Sequence, residues 1–420
     1  MTQIEAARRG IITEEMRVVA RDEGVPPEDL CQWVARGHVV IPANVSHGDR
    51  PPCGIGEPLR VKINANIGTS PGNASVEHEL AKLQAVQELG VDSVMDLSIA
   101  GDLDRLRETI IAHARVTVGT VPIYQVLAEH ADSVEKIDIE EILETIEKHG
   151  RQGVDFITVH CGLTREALPL VRKRIMGIVS RGGSFIARWM EARGHENPLH
   201  WCYDDILDIA RRYDITLSLG DGLRPGCVAD ATDEAQLHEL RVLGRLTARA
   251  REAGVQVMVE GPGHVPLNQI ERNVRLQQEI CDGAPLYVLG PLTTDVAPGY
   301  DHIAGAIGGT LAAYFGAAFL CYLTPAEHLR LPSVEDVREG VIAARIAAHS
   351  ADLARGNSRA REWDRRFSAM RSRFDWEGMC REAIDSRRPA RYRQESTNPD
   401  TDECSMCGKF CAMAPRGEAR

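Results

Sequence analysis

Near its carboxyl end the chain reads CSMCGKFC, which places Cys404, Cys407 and Cys411 inside eight positions. Clustered thiolates bind metals. A closed structural zinc site takes four protein ligands, so a set of three leaves the fourth unexplained. An iron–sulfur cluster held by three cysteines instead keeps one iron open to another ligand. A second set of reactive side chains is spread along the chain, each at the end of a short apolar run: Asn66, Met95 with Asp96, Tyr124, His160, Asp221 with Arg224, Glu260 with His264, Tyr287 and His328. One such residue could be a cap or a turn former. So many at corresponding places suggest a shared site.

Local sequence around these residues narrows the chemistry. VEGPGH has two glycines about a proline, which lets backbone approach a ligand and fixes the directions of Glu260 and His264. His264 and His328 lie at different run ends and could share a divalent metal through neutral imidazole, although each taken singly is an ordinary hydrogen-bonded histidine. SRGG and DGLRPG put Arg181 and Arg224 in glycine-rich loops, a clamp for phosphate or carboxylate. GAIGGTLAAYFGAA lacks the Gly-Lys-Ser/Thr of a phosphate loop and reads as a closely packed small-residue helix.

The elements that must position these groups are legible between residues 60 and 330. Eight β-branched runs recur there: VKINANI, VDSVMDL, TVGTVPIY, DFITVHC, ITLSLGD, VQVMVEG, PLYVLGP and AAFLCYL. Intervals of roughly 30 to 60 residues leave room for crossover helices such as DIEEILETIEKHGRQG, the alternation parallel βαβ units require. The expected fold class is therefore α/β, a (β/α)8 barrel, whose catalytic groups come from the carboxyl ends of its strands. GIVSRGGSFIARW reads as an inserted loop and helix. Residues 1–59 form a small helical region ending in a linker or cover, IPANVSHGDRPPCGIGEP. Residues 331–393 read as two long helices, and 394–420 as a flexible tail, since QESTNPDTDE has no apolar residue.

Composition excludes several classes. Forty-nine basic against 61 acidic residues give a net charge of −12, which argues against a nucleic-acid surface. The first twenty residues have no apolar core of a signal peptide, and no stretch approaches the roughly 18 apolar residues of a membrane span. A cytoplasmic protein with no membrane partner is expected. Of eleven cysteines, eight are scattered singly and read as small buried hydrophobes.

Together NANIGTSP, TVPIYQ, VSRGGS, LSLGDGLRPG, MVEGPGHVPL, GPLTTDVAPGYDHIAGAIG, CYLTPAEHLRLP and CSMCGKFCAM resemble the phosphomethylpyrimidine synthase (ThiC) family, in its short form, over about residues 2 to 415. The resemblance implies a radical S-adenosylmethionine lyase of thiamine biosynthesis that converts 5-aminoimidazole ribonucleotide into 4-amino-5-hydroxymethyl-2-methylpyrimidine phosphate. Matched motif by motif, it implies a substrate site of Asn66, Met95, Tyr124, His160, Ser180, Arg181, Gly182, Asp221, Gly222, Leu223, Arg224, Glu260 and Tyr287, with Glu260, His160 and Tyr124 catalytic. His264 and His328 would bind zinc or another divalent metal. Cys404, Cys407 and Cys411 would bind a [4Fe–4S] cluster, whose open iron takes S-adenosylmethionine. An electron donor of unspecified identity and a homodimer, with the tail reaching the partner's site, are also implied.

Two places depart from the family pattern. The tail reads Cys-x2-Cys-x3-Cys where the family has one residue more and a proline in the last interval, and Gly408 would absorb the tighter loop. Ile99 and Ala100 follow Ser98 where Thr-Gly is expected, beside the anticipated substrate site. A 5-hydroxybenzimidazole synthase, starting from the same ribonucleotide, shares these motifs. A barrel hydrolase using His264, His328 and Glu260 on a zinc-bound water is the alternative from a different class.

Overall fold

In a computed structural model, which describes residues 1–130, 133–396, 406 and 410–413, the eight β-branched runs become parallel strands of one closed barrel. The strands are Lys62–Ile67, Ser93–Asp96, Thr117–Thr120, Phe156–Val159, Thr216–Leu219, Val257–Glu260, Leu286–Leu289 and Phe319–Cys321. The eighth closes on the first, with Phe319 opposite Lys62. Nearly every strand residue is buried, which is why the runs are continuous rather than alternating. Phe156, Tyr287 and Phe319 fill the interior, Phe319 lying 4.3 Å from Tyr287 and 6.3 Å from Phe156 between ring centroids. Each fully buried Phe contributes about 1.5–3 kcal/mol. They make a floor on which a site can rest.

Helices wrap the strands because their apolar residues recur every three or four positions. Ile139–Arg151 buries Ile142, Thr145, Ile146 and His149 on one stripe. Ser75, Asp102 and Asp233 cap three of these helices through side-chain oxygens. Asp301–Phe315 is the anticipated small-residue helix: a Cβ on Gly308 would meet the Pro291 carbonyl oxygen at 2.0 Å. Val334–Arg355 buries Val337, Val341, Ala344, Ala348 and Ala351 in the same cluster as the first strand.

The amino-terminal segment covers the end of the barrel where the strands begin. Asn44 donates to the carbonyls of Gly150 and Val154 at 2.9 Å, and Gln256 Nε2 donates to the Ile41 carbonyl at 3.0 Å. Asp155 receives Arg50 Nη2 at 3.2 Å and lies 2.5 Å from His47 Nδ1. The strands' carboxyl ends are left to the other face.

Met1–Ala351 forms one compact unit and Asp352–Arg420 a second. Within the second, the long helix expected over SRAREWDRRFSAMRSRFDWEGMCREAI is two, Ser358–Arg371 and Trp376–Glu382, and a further helix, Arg387–Gln394, follows it. Phe374 adopts φ +58°, and Asp375 then caps a new helix. Two further expectations are corrected. Tyr124 is not at a strand end but in the first turn of the helix Pro122–Glu129, because Pro122 sets the geometry of a helix start. SRGG is not a loop but the start of the helix Arg181–Arg193, capped by Ser180. No helix among the described residues is long and apolar enough to cross a membrane.

Candidate active site

Strand ends and the loops after them form an open cleft lined by Asn66, Met95, Tyr124, His160, Asp221, Arg224, Glu260 and Tyr287, with apolar walls including Leu97, Val121 and Leu289. Barrel register explains the convergence. Asn66 pairs with Met95, Thr158 with Ser218, and Glu260 with Tyr287, so their side chains enter the interior at matching heights.

Glu260 is the most strongly constrained of these. Its Oε1 accepts from Ser218 Oγ at 2.6 Å and from Thr158 Oγ1 at 2.7 Å. Burial, and then the nearby Asp221 carboxylate, raise its pKa to about 7 despite those donors. It is poised to give or take a proton near neutrality. Asp221 accepts from Arg224 Nη1 at 2.9 Å, and its pKa is raised by burial against the opposing pull of that guanidinium. A paired Asp–Arg here leaves Arg224 with further donors for an anion.

His160 is held neutral: burial and the Arg224 cation lower its pKa to about 3. Its Nδ1 is buried without a hydrogen-bond partner among the described residues. A ligand atom can satisfy it. Of the glycine pair after Arg181, Gly182 makes room for this ring, since a Cβ there would lie 2.3 Å from the imidazole Cε1, and Gly183 makes room for the Gly222 carbonyl, which a Cβ would meet at 2.2 Å. Arg181 itself sits over the Tyr124 ring, 4.9 Å from its centroid. Tyr124 has a raised pKa from burial.

Ser180, Gly182, Gly222 and Leu223 do not line this cleft. Ser180 Oγ accepts from the Gly183 N–H as the helix cap, and Leu223 is fully buried with its N–H donated to Glu239. A neighbouring cavity, bordered by the same Asn66 and Leu97, is lined by Arg181, Glu327, His328 and Ile99. The Ile99 departure therefore faces this second cavity. Thr69 Oγ1 donates to the Ala100 carbonyl at 2.6 Å, which fixes the turn.

His264 and His328 come together, ring centroids 5.8 Å apart. His264 Nδ1 is 2.8 Å from Asp295 Oδ1, and His328 Nδ1 is 2.9 Å from Asp301 Oδ2. Carboxylates on both Nδ1 atoms leave both Nε2 atoms as the available donors, the arrangement that orients imidazoles toward a metal. His328 takes φ +60°, an uncommon conformation for a non-glycine residue. Among the described residues no set of three or more His, Cys, Asp or Glu could hold an ion. Cys404 and Cys407 lie outside the described residues. Cys411 is partly buried.

Sequence reading missed several residues here. Asn64 donates to the Tyr287 hydroxyl at 2.7 Å and to Asn66 Oδ1 at 2.8 Å, and Asn66 Nδ2 lies 3.2 Å from Cys321 Sγ. Asn at 64 and 66, two apart in one strand, was a signal for Asn64. Thr158 and Ser218 gave none, since small hydroxyls in strands are common. Asp295, in a loop, and Asp301, at the start of the helix Asp301–Phe315, each lie about 30 residues from the histidine they meet.

The family profile described as Radical SAM ThiC family matches residues 2–417. A protein named phosphomethylpyrimidine synthase from Desulforamulus reducens is 56% identical over 419 residues, covering 98% of this chain and 97% of its own length. One of the same name from Moorella thermoacetica is 55% identical over 423 residues, covering 100% and 98%. A solved dihydropteroate synthase from Coxiella burnetii is 12% identical over 70% of this chain and 94% of its own, with a TM-score of 0.41, a likeness too slight to bear on the site.

Proposed function

The chain belongs to the radical SAM ThiC family, and we propose from that premise that it is a phosphomethylpyrimidine synthase, acting in thiamine biosynthesis on 5-aminoimidazole ribonucleotide. The observation that carries the reading is the convergence of Asn66, Met95, Tyr124, His160, Asp221, Arg224, Glu260 and Tyr287 on one cleft at the strands' carboxyl ends. A ribonucleotide carries an anionic phosphate, a polar ribose and a flat base. Arg224, braced by Asp221, and Arg181, braced over Tyr124, supply cations for the phosphate. Neutral His160 offers its unpartnered Nδ1, and Glu260 moves a proton near neutral pH. Met95, Leu97, Val121 and Leu289 keep water from a reactive fragment.

S-adenosylmethionine and an iron–sulfur cluster, implied by the family, supply the radical chemistry when bound. Cys404, Cys407 and Cys411 would hold the cluster as [4Fe–4S]. His264 and His328 would hold zinc or another divalent ion through Nε2, supported by the carboxylates on their Nδ1 atoms. A homodimer completes the proposal.

Two measurements test this. Reduced, cluster-loaded protein incubated with the ribonucleotide and S-adenosylmethionine is expected to give the pyrimidine phosphate by mass. Hydroxybenzimidazole without pyrimidine phosphate would replace the proposal with the alternative synthase. For the metal, His264→Ala and His328→Ala are each expected to remove most of the non-cluster divalent ion, because one remaining imidazole binds far more weakly than two. Full occupancy in both variants would place the ion elsewhere and leave two hydrogen-bonded histidines here.

A further inference from the structure

The segment 221–224 is a turn, closed by the Arg224 N–H on the Asp221 carbonyl at 3.1 Å and by the Arg224–Asp221 side-chain pair, and these bonds tie its ends to each other, not to the barrel. It is gripped from outside at one residue. The Leu223 N–H donates to Glu239 Oε2 at 2.8 Å, and the Leu223 carbonyl accepts from Arg174 Nη2 at 2.7 Å. Arg174 Nη1 also reaches the Arg224 carbonyl at 3.5 Å. Both grips stand on the same support. Arg174 donates through Nε and Nη2 to the two oxygens of Asp233, at 2.7 Å each, and Asp233 caps the helix Glu234–Glu252 that carries Glu239. The backbone beside Arg174 is tied down as well, with Ile175 and Met176 N–H groups donating to Asp230 at 3.0 Å.

Such an arrangement is costly to keep for packing alone. Arg174 is 8% exposed and Glu239 3%. Glu239 Oε1 is buried without a partner among the described residues, and burial raises the group's pKa to about 8. An apolar pair of similar volume would avoid both desolvation penalties. What an apolar pair could not do is hold one peptide from its N–H and its carbonyl at once.

We infer that Arg174 and Glu239 are positioning residues that hold Leu223 from both sides and so aim Arg224 and Asp221 into the cleft. Their purpose in catalysis rests on the function proposed above, whereas the grip itself does not. Arg174 enters from the segment after the fourth strand, so the stretch between the fourth and fifth strands takes part in the site through Arg174 as well as through His160 and Arg181.

In the loaded enzyme, Arg174→Met and Glu239→Ala are expected to raise KM for the ribonucleotide about tenfold or more, with a smaller change in kcat. Glu239→Gln, which keeps an acceptor oxygen for the Leu223 N–H, is expected to stay close to native. In an Arg224→Gln background, Arg174→Met is expected to add nothing further to KM. Equal fold-changes in both backgrounds, or Gln as damaging as Ala at position 239, would overturn the inference. Hydrogen exchange on the full chain without substrate tests the grip even if no pyrimidine forms. Glu239→Ala is expected to speed exchange at 221–224 about tenfold while the seventh strand is unchanged. Unchanged protection at Leu223, or a uniform loss across the barrel, would also overturn it.

Discussion

Cys411→Ala is expected to abolish turnover and remove the iron–sulfur absorbance, while the barrel melts as in the native chain. Each of three thiolates would hold one iron of a four-iron cluster, so losing one leaves two protein ligands for the whole group. The same outcome is expected for Cys404→Ala and Cys407→Ala. Separate melting follows from the division of the chain, since Cys411 belongs to the unit Asp352–Arg420 and the strands to Met1–Ala351. Iron and sulfide analysis, near-ultraviolet and visible absorbance, and melting of the metal-free chain read the three parts. A fall in barrel stability as large as the loss of turnover would show that the cysteine acts through folding and not through the cluster. The shortened Cys-x3-Cys interval adds a second comparison: inserting one residue after Gly408 is compatible with a retained cluster.

Glu260→Gln is expected to lower kcat by about 10²–10⁴, the usual contribution of a positioned acid or base. Gln keeps the shape and can still accept from Ser218 and Thr158, so binding of the ribonucleotide should change much less. The native rate should vary through pH 7, where Glu260 titrates, and the variant should lose that limb. Stability gives an independent check. The folded-state pKa is raised from 4.5 to about 7, so the native chain holds a proton that the unfolded chain has released. Its contribution is complete below the unfolded value and is lost as pH rises through about 7. At about 1.4 kcal/mol per pH unit that loss is about 3 kcal/mol, and the Gln variant should not show it. Melting curves for both chains between pH 5 and 8 isolate the difference, since the buried His160 contributes alike to both. A kcat within twofold of native would remove Glu260 from proton transfer.

The eight strands were legible because each is a buried β-branched run bounded by turn residues, and burial on both faces leaves a pattern that needs no knowledge of neighbours. The polar residue at or just after each strand was legible for the same reason, since parallel barrels put their chemistry at the carboxyl ends. Tyr124 shows the limit of that rule. Its run continues past Thr120 without a break in hydrophobicity, and only the backbone turn at Pro122 places it on a helix. In the same way SRGG looked like a loop until Ser180 was seen capping a helix, with Gly182 cleared for the His160 ring.

By itself the sequence determined what is local or periodic: the strands, the parallel order they require, the thiol triplet, the charge balance and the strand-end chemistry. The tertiary structure alone decided what depends on distance between remote residues. It set His264 beside His328 and gave each its own carboxylate, Asp295 and Asp301. It aligned Thr158 with Ser218 so that two unremarkable hydroxyls meet on Glu260, and it brought Arg174 and Glu239 to opposite sides of one peptide. A pKa or a grip of this kind comes from burial and from neighbours tens of residues away, and neither leaves a periodic mark in the chain that supplies it.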